Sequence, residues 1–260
     1  MQTPVVDSEP IAPSDFYTGI VAVAYRHLRS ETFDPAPYAR FVSRSGEPAL
    51  ELGCGDGDPV LDLRARGLDV EGLDSSADML DRCRAAAAVR GLDVTLHHST
   101  FETMDLGRRY RSIYFAGASF NLLPDDGAAH AALERIAAHL HPAGSALIPL
   151  FVPQAPTESE IGAVREHVTS EDVVMRVTVL DIARDEAARN QTTRLRYEVV
   201  DGDDHRTADR SWRLHWFEQD DFAQLCIDAR LETRSVRRPV GDPTTSHATA
   251  FTVVLGPRSG

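Results

Sequence analysis

Pro48-Ala49-Leu50-Glu51-Leu52-Gly53-Cys54-Gly55-Asp56-Gly57 decides the fold. An apolar run leads into glycines at 53, 55 and 57, and a helical pattern follows. This predicts a buried strand, a tight turn and a helix start. Glycines let the backbone take positive φ and approach a ligand closely. N–H groups at such a helix start can receive an anionic group. About twenty residues on, Val70-Glu71-Gly72-Leu73-Asp74 reads as a second strand ending in an acid, the group that binds both hydroxyls of a ribose. The stretch predicts a nucleoside-cofactor loop.

On the N-terminal side, Met1–Pro13 holds three prolines and little periodicity and reads as a loose tail. Phe16, Tyr17, Ile20, Val21, Ala24, Tyr25 and Leu28 then recur at helical steps, and a second helix spans Ala36–Arg44. On the C-terminal side, helices are expected over Pro59–Arg66, from Ser75 or Ser76 to Arg90, and over Asp126–Leu140. They alternate with strands at Asp93–His98, Ser112–Gly117 and Ala146–Val152, with His141-Pro142-Ala143-Gly144 as a terminator. That alternation predicts a parallel sheet covered by helices on both faces. Beyond Pro153, Val173–Asp181, Thr192–Val200 and Arg210–Phe217 follow one another without helices, which predicts antiparallel pairing. A helix through Phe222, Leu225, Cys226 and Ala229 and strands near Glu232–Arg237 and Ala248–Leu255 close the chain. The expected fold is α/β, a Rossmann-like doubly wound sheet with an inserted antiparallel β segment and a C-terminal antiparallel hairpin. Its parts are a helical cap (1–45), a cofactor-binding core (46–152), the insertion (153–217) and a closing segment (218–260).

The chain has 260 residues and a net charge of −13. Such acidity repels phosphate backbones and speaks against a nucleic-acid partner. Cys54, Cys83 and Cys226 show neither disulfide nor zinc spacing. No stretch approaches the ~18 apolar residues that span a membrane. Nothing reads as a signal peptide, so a cytoplasmic protein with no membrane partner is expected. Scattered histidines lack metal-ligand spacing, and no metal is expected.

A dinucleotide loop wants G-x-G-x-x-G, and its third glycine position holds Asp58. Glu51 discriminates better. Glu-Leu-Gly-Cys-Gly-Asp-Gly resembles motif I of the class I S-adenosylmethionine-dependent methyltransferases, and Gly72-Leu73-Asp74-Ser75-Ser76-Ala77-Asp78-Met79-Leu80 follows at the right distance. Gly117-Ala118-Ser119-Phe120-Asn121-Leu122-Leu123-Pro124-Asp125 resembles a segment of the glycine N-methyltransferases and the small-residue loop of the amino-sugar N,N-dimethyltransferases. Asn121 or Leu122 stands where the glycine enzymes carry His, so that role does not carry over.

The resemblance implies S-adenosyl-L-methionine as cofactor and a small-molecule methyl acceptor. It places Glu51, Gly53, Cys54 and Gly55 at the methionine half, where the loop's N–H groups are expected to meet the cofactor's carboxylate, Asp74 on the ribose, and Ser75, Met79, Thr100 and Phe101 beside the adenine. Ala116 and Ser119 line the sulfonium end, and the aromatic pair Tyr17 and Tyr25 closes over the cofactor. Methyl transfer from a sulfonium is an in-line displacement that gains most from alignment and water exclusion. Candidates for contact with the reacting groups are Tyr17, Ser119, His215, His97 and His98. The inserted strands read either as a wall of the acceptor pocket, with Arg213, His215, Trp216 and Phe217 inward, or as a homodimer surface. N-methylation is the first reading. A cofactor-binding cyclase and an NAD-dependent oxidoreductase are the alternatives.

Overall fold

The computed structural model describes residues 13–29, 33–237 and 250–258. The expected tail over 1–13 lies outside these but for Pro13, as do Ala248 and Thr249 of the last expected strand. In chain order the elements are α1 (Ile20–Leu28), α2 (Pro35–Ser45), β1 (Ala49–Leu52), α3 (Val60–Ala65), β2 (Val70–Asp74), α4 (Ala77–Val89), β3 (Leu96–His98), β4 (Tyr110–Phe115), α5 (Asp126–His139) and β5 (Leu140–Phe151). Then come β6 (Val164–Val168), β7 (Val174–Asp185), β8 (Asn190–Asp201), β9 (Asp204–His215), α6 (Gln219–Asp228), β10 (Leu231–Arg237) and β11 (Ala250–Pro257).

Seven strands form one sheet in the order β10-β11-β5-β4-β1-β2-β3. β1 to β5 run parallel, and β11 and β10 close the edge as an antiparallel pair. Every residue of β1 and β2 is buried, the mark of a sheet covered on both faces. Alternation along the strands divides the core. Leu50, Leu52, Ile113 and Phe115 face Leu133 and Ile136 of α5 and Phe222 of α6. Ala49, Val70 and Tyr114 face α2, α3 and α4 through Phe41, Val60 and Leu80. Ser76 caps α4 by accepting the Met79 N–H at 3.1 Å.

The inserted strands β6 to β9 form a separate antiparallel sheet. Met175, Val177, Leu195, Tyr197 and Val199 pack on Phe16, Val21, Ala24 and Leu28, so α1 lies against the inner face. On the exposed strands, Arg176 pairs with Glu166 and Arg196 with Asp209.

Several strands differ from expectation: β3 starts at Leu96 and not at Asp93, β7 runs on to Asp185 and β9 spans Asp204–His215. β5 begins at Leu140, directly after α5, not at Ala146. His141–Gly144 does end the helix but then bulges within the strand, because Tyr110 pairs with Leu140 and Ser112 already with Ser145. β6 was not expected: Val164-Arg165-Glu166-His167-Val168 is an edge strand exposed at every position, held by its ladder to β7. A further correction concerns the end of β9. Trp212 and Leu214 turn toward the interior cavity, while Arg213 is exposed, as alternation requires.

Candidate active site

The site lies at the carboxyl ends of β1, β2 and β4, where an open α/β sheet binds ligands. Gly53 has φ +73°, and a Cβ there would stand 3.3 Å from Ser119 Cβ. Gly57 has φ +103°, and a Cβ there would stand 2.6 Å from Leu61 Cδ1. The loop therefore needs glycine for conformation and for space.

Four of its N–H groups are satisfied inside the protein. Gly53 and Cys54 donate to Leu73 O at 2.8 and 3.0 Å, and Gly57 donates to Cys54 O at 3.0 Å. Gly55 donates to Asp74 Oδ2 at 2.8 Å, and Ser76 donates to Asp74 Oδ1 at 2.9 Å. This corrects the expectation that these donors receive the cofactor's carboxylate. Burial raises the pKa of Asp74, and the backbone N–H groups of Ser76 and Gly55 oppose that rise by favouring the carboxylate.

Asp74, Gly53, Ser75, Thr100 and Phe101 line one cavity of about 90 Å³. A second, of about 720 Å³, is walled by Tyr25, Phe33, Ala116, Pro149, Phe151 and Trp212 among others. Tyr17, Ser119 and Leu122 border both. Seven of the expected site residues thus meet around the small cavity, and Tyr25 and Ala116 join Tyr17 and Ser119 around the large one. The segment bearing Tyr17 is strapped over the β2 end: Ser75 Oγ donates to Ser14 O at 2.9 Å and Ser76 Oγ to Tyr17 O at 2.6 Å. Tyr17 and Tyr25 meet edge to face at 5.5 Å.

Two side chains keep buried polar atoms without partners. Glu51 is fully buried; its Oε2 accepts the Tyr114 hydroxyl at 2.8 Å, and its Oε1 accepts nothing. Burial pushes this carboxyl well above the usual glutamate range. Arg29 holds Asp58 through Nη2 at 2.5 Å, while its buried Nε and Nη1 donate to nothing. A lone acceptor for an ammonium and a lone pair of donors for a carboxylate match the zwitterionic end of an amino acid. The residues present therefore fit the methionine half of S-adenosylmethionine. Sequence reasoning missed Arg29; its only signal was its place one helical turn after Tyr25.

Several expected residues stand elsewhere. Cys54 points into the core, its Sγ 2.7 Å from where a Cβ of Gly72 would be. Met79 is 2% exposed and lies beneath the loop, 3.3 Å from where a Cβ of Gly55 would be, so it supports the turn and does not face the small cavity. His215 is buried and lines neither cavity; its Nε2 lies 2.9 Å from Asp126 Oδ1 and its ring meets Phe217 edge to face. That geometry removes it from the acceptor wall. His97 Nε2 stands 2.8 Å from Glu71 Oε2, and His98 Nε2 2.9 Å from Ser75 O. Asn121 is a buried clamp, donating to Phe151 O at 3.0 Å and His215 O at 2.8 Å. Leu122 is thus the cavity-facing member of that pair.

Two features bear on the acceptor side. Burial raises the Tyr17 hydroxyl far above an ordinary phenol, so it stays protonated at neutral pH. The Trp212 indole N–H is buried without a hydrogen-bond partner in the wall of the large cavity.

Residues 49–144 match a family described as a methyltransferase domain. The chain is 32% identical over 165 residues to dTDP-3-amino-3,6-dideoxy-alpha-D-glucopyranose N,N-dimethyltransferase of Streptomyces fradiae, covering 60% of this chain and 63% of that protein. A second relative, dTDP-3-amino-3,4,6-trideoxy-alpha-D-glucopyranose N,N-dimethyltransferase of Streptomyces venezuelae, is 27% identical, covering 52% of this chain and 55% of that protein. The chain spans about three-fifths of the length of these curated relatives. Among solved structures, the sugar N-methyltransferase KedS8 from Streptoalloteichus sp. shares the fold, with TM-score 0.71, 20% identity and coverage of 100% of this chain and 99% of that one. These findings bear out the resemblance to class I S-adenosylmethionine-dependent methyltransferases, and to amino-sugar N-methyltransferases among them.

Proposed function

We propose that this chain, whose residues 49–144 form a methyltransferase domain, transfers the methyl group of S-adenosyl-L-methionine to an amino nitrogen of a small molecule, and that the acceptor is an amino sugar. One observation carries the reading: the cavity holding the ribose-binding acid and the 720 Å³ chamber share a border made by Tyr17, Ser119 and Leu122.

Asp74 takes the ribose hydroxyls, Thr100 and Phe101 the adenine, Glu51 the ammonium and Arg29 the carboxylate. When bound, the cofactor supplies an electrophilic methyl carbon whose bond to sulfur breaks as the nitrogen attacks. The chain contributes alignment and dryness. Tyr17 and Leu122 exclude water at the border of the two cavities, and Ala116 and Tyr25 do so along the wall of the large one. The Ser119 hydroxyl accepts the amine N–H and orients its lone pair, and the unpartnered Trp212 N–H donates to an oxygen of the acceptor. Among the described residues no carboxylate or imidazole lines the large chamber. With Tyr17 held protonated, the amine must enter neutral, and its own ionisation sets the pH profile.

Incubation with S-adenosylmethionine and 3-amino sugars, followed by mass spectrometry, tests this. The account expects one or two added methyl groups on nitrogen. Cofactor consumption with methylation of oxygen alone would overturn the acceptor assignment.

A further inference from the structure

The antiparallel sheet joins the core at two stems: the chain leaves β5 at Phe151 and comes back from β9 at His215. Asn121 holds both. It is fully buried in the 3-10 helix Ser119–Leu122, whose two end residues border both cavities. Its Nδ2 donates to Phe151 O at 3.0 Å and to His215 O at 2.8 Å, and its Oδ1 accepts the Phe151 N–H at 3.2 Å. Two carbonyls and one N–H thus converge on one side chain, and a neutral amide offers the two donors and the acceptor they need. Phe120 and Leu123 nearby belong to the apolar core. A polar side chain buried among them costs free energy unless it is hydrogen-bonded, and these three bonds satisfy it. Asp126 adds a second tie at the returning stem, facing His215 Nε2 at 2.9 Å and pairing with Arg189, which precedes β8. All three tied segments wall the large chamber: Ser119 and Leu122, then Phe151, then Trp212 and Leu214.

We propose that Asn121 is a positioning residue for methyl transfer: by holding both stems against the helix that carries Ser119, it fixes the span across the chamber from Ser119 to Trp212. The inference rests on the reading of the chamber as the acceptor site. Asn121 lines neither cavity, so it acts through the residues it ties. An acceptor held by the Trp212 N–H brings its nitrogen to the methyl only if that span is right. A loosened stem moves Trp212 but leaves the cofactor side in place, because Asp74 is fixed separately by the N–H groups of Gly55 and Ser76. Misplacing a bound reactant slows turnover without weakening the cofactor's own contacts.

The test compares Asn121→Asp with the uncharged control Asn121→Ser in the full chain. The carboxylate of Asn121→Asp opposes the carbonyls of Phe151 and His215, which raises its pKa; once protonated it donates to one of them and again accepts the Phe151 N–H. At alkaline pH both variants should lose about a hundredfold in kcat for transfer to 3-amino sugars, while calorimetry finds S-adenosylhomocysteine bound as in the wild type. As pH falls, the Asn121→Asp rate should climb relative to wild type, and the Asn121→Ser rate should keep a constant ratio. In a parallel measurement, Trp216→Phe leaves Trp212 as the one tryptophan of the chain. Its emission should shift with pH when Asn121→Asp is added and hold steady when it is not. Undiminished kcat in both variants, or a constant Asn121→Asp ratio with steady Trp212 emission, overturns the assignment. Loss of S-adenosylhomocysteine binding in Asn121→Ser overturns a role confined to the chamber. If the wild type methylates none of the sugars, the proposed activity fails instead, and Trp212 emission still decides the tie.

Discussion

Gly55 donates its N–H to Asp74 Oδ2 at 2.8 Å, so the glycine loop and the acid at the end of β2 are one structural unit. Four of the loop's N–H groups shape the turn or fix this carboxylate. On the proposed reading, in which Asp74 faces the ribose, alignment of the cofactor depends on the join between the two motifs.

Asp74→Ala should weaken S-adenosylhomocysteine binding by about tenfold or more, because hydrogen bonds to a charged acceptor are lost. It should also lower Tm, since the N–H groups of Gly55 and Ser76 are orphaned at about 1–3 kcal/mol each. Calorimetry and a thermal melt read the two effects separately. Unchanged affinity would remove Asp74 from the ribose.

Glu51 makes a prediction about pH. Its folded pKa lies well above the unfolded value, because burial disfavours the charge. The neutral carboxyl thus contributes stability at pH below the ordinary glutamate value. That contribution is lost as pH rises from there toward the folded pKa. Glu51→Gln keeps an acceptor for Tyr114 and carries no charge, so it should raise the Tm of the cofactor-free protein at neutral pH while weakening S-adenosylhomocysteine binding. A lower Tm with undiminished affinity would assign Glu51 a purely structural role.

Arg29→Met should separate the two ends of the cofactor. S-adenosylhomocysteine should bind at least about tenfold more weakly, from the loss of charge-assisted hydrogen bonds. 5′-Methylthioadenosine, which lacks the amino-acid end, should bind as before. Equal losses for both ligands would mean that Arg29 only braces the loop through Asp58.

His215→Asn should lower Tm by breaking the contact with Asp126 and leave the shape of the kcat pH profile unchanged. Loss of a titrating limb in that profile would return His215 to the reaction.

The parts of this site that could be read in the sequence are those held by backbone geometry. Gly53, Gly57 and Asp74 follow from strand, turn and strand, and Ser119 from the segment after β4. Side-chain direction was harder to read. Cys54 and Met79 sit within motifs that touch cofactors, yet packing against Gly72 and Gly55 turns both inward. His215 reads as a lining residue only if it and Arg213, which share one face of β9, point inward, and it is Trp212 and Leu214 on the other face that line the cavity. Arg29 was silent because an arginine on a helix is ordinarily solvated, and only tertiary burial reveals its two idle donors. β6 carries no apolar alternation because every position is exposed, and it is held by the ladder to β7 and by polar contacts to α1, Arg165 to Leu28 O and His167 to His27.

The most direct test is a calorimetric titration of the intact chain with S-adenosylhomocysteine and, separately, with NAD. The account predicts saturable one-to-one binding of the sulfur nucleoside, reduced in Asp74→Ala and Arg29→Met, and none of NAD. Binding of NAD with none of S-adenosylhomocysteine would contradict it.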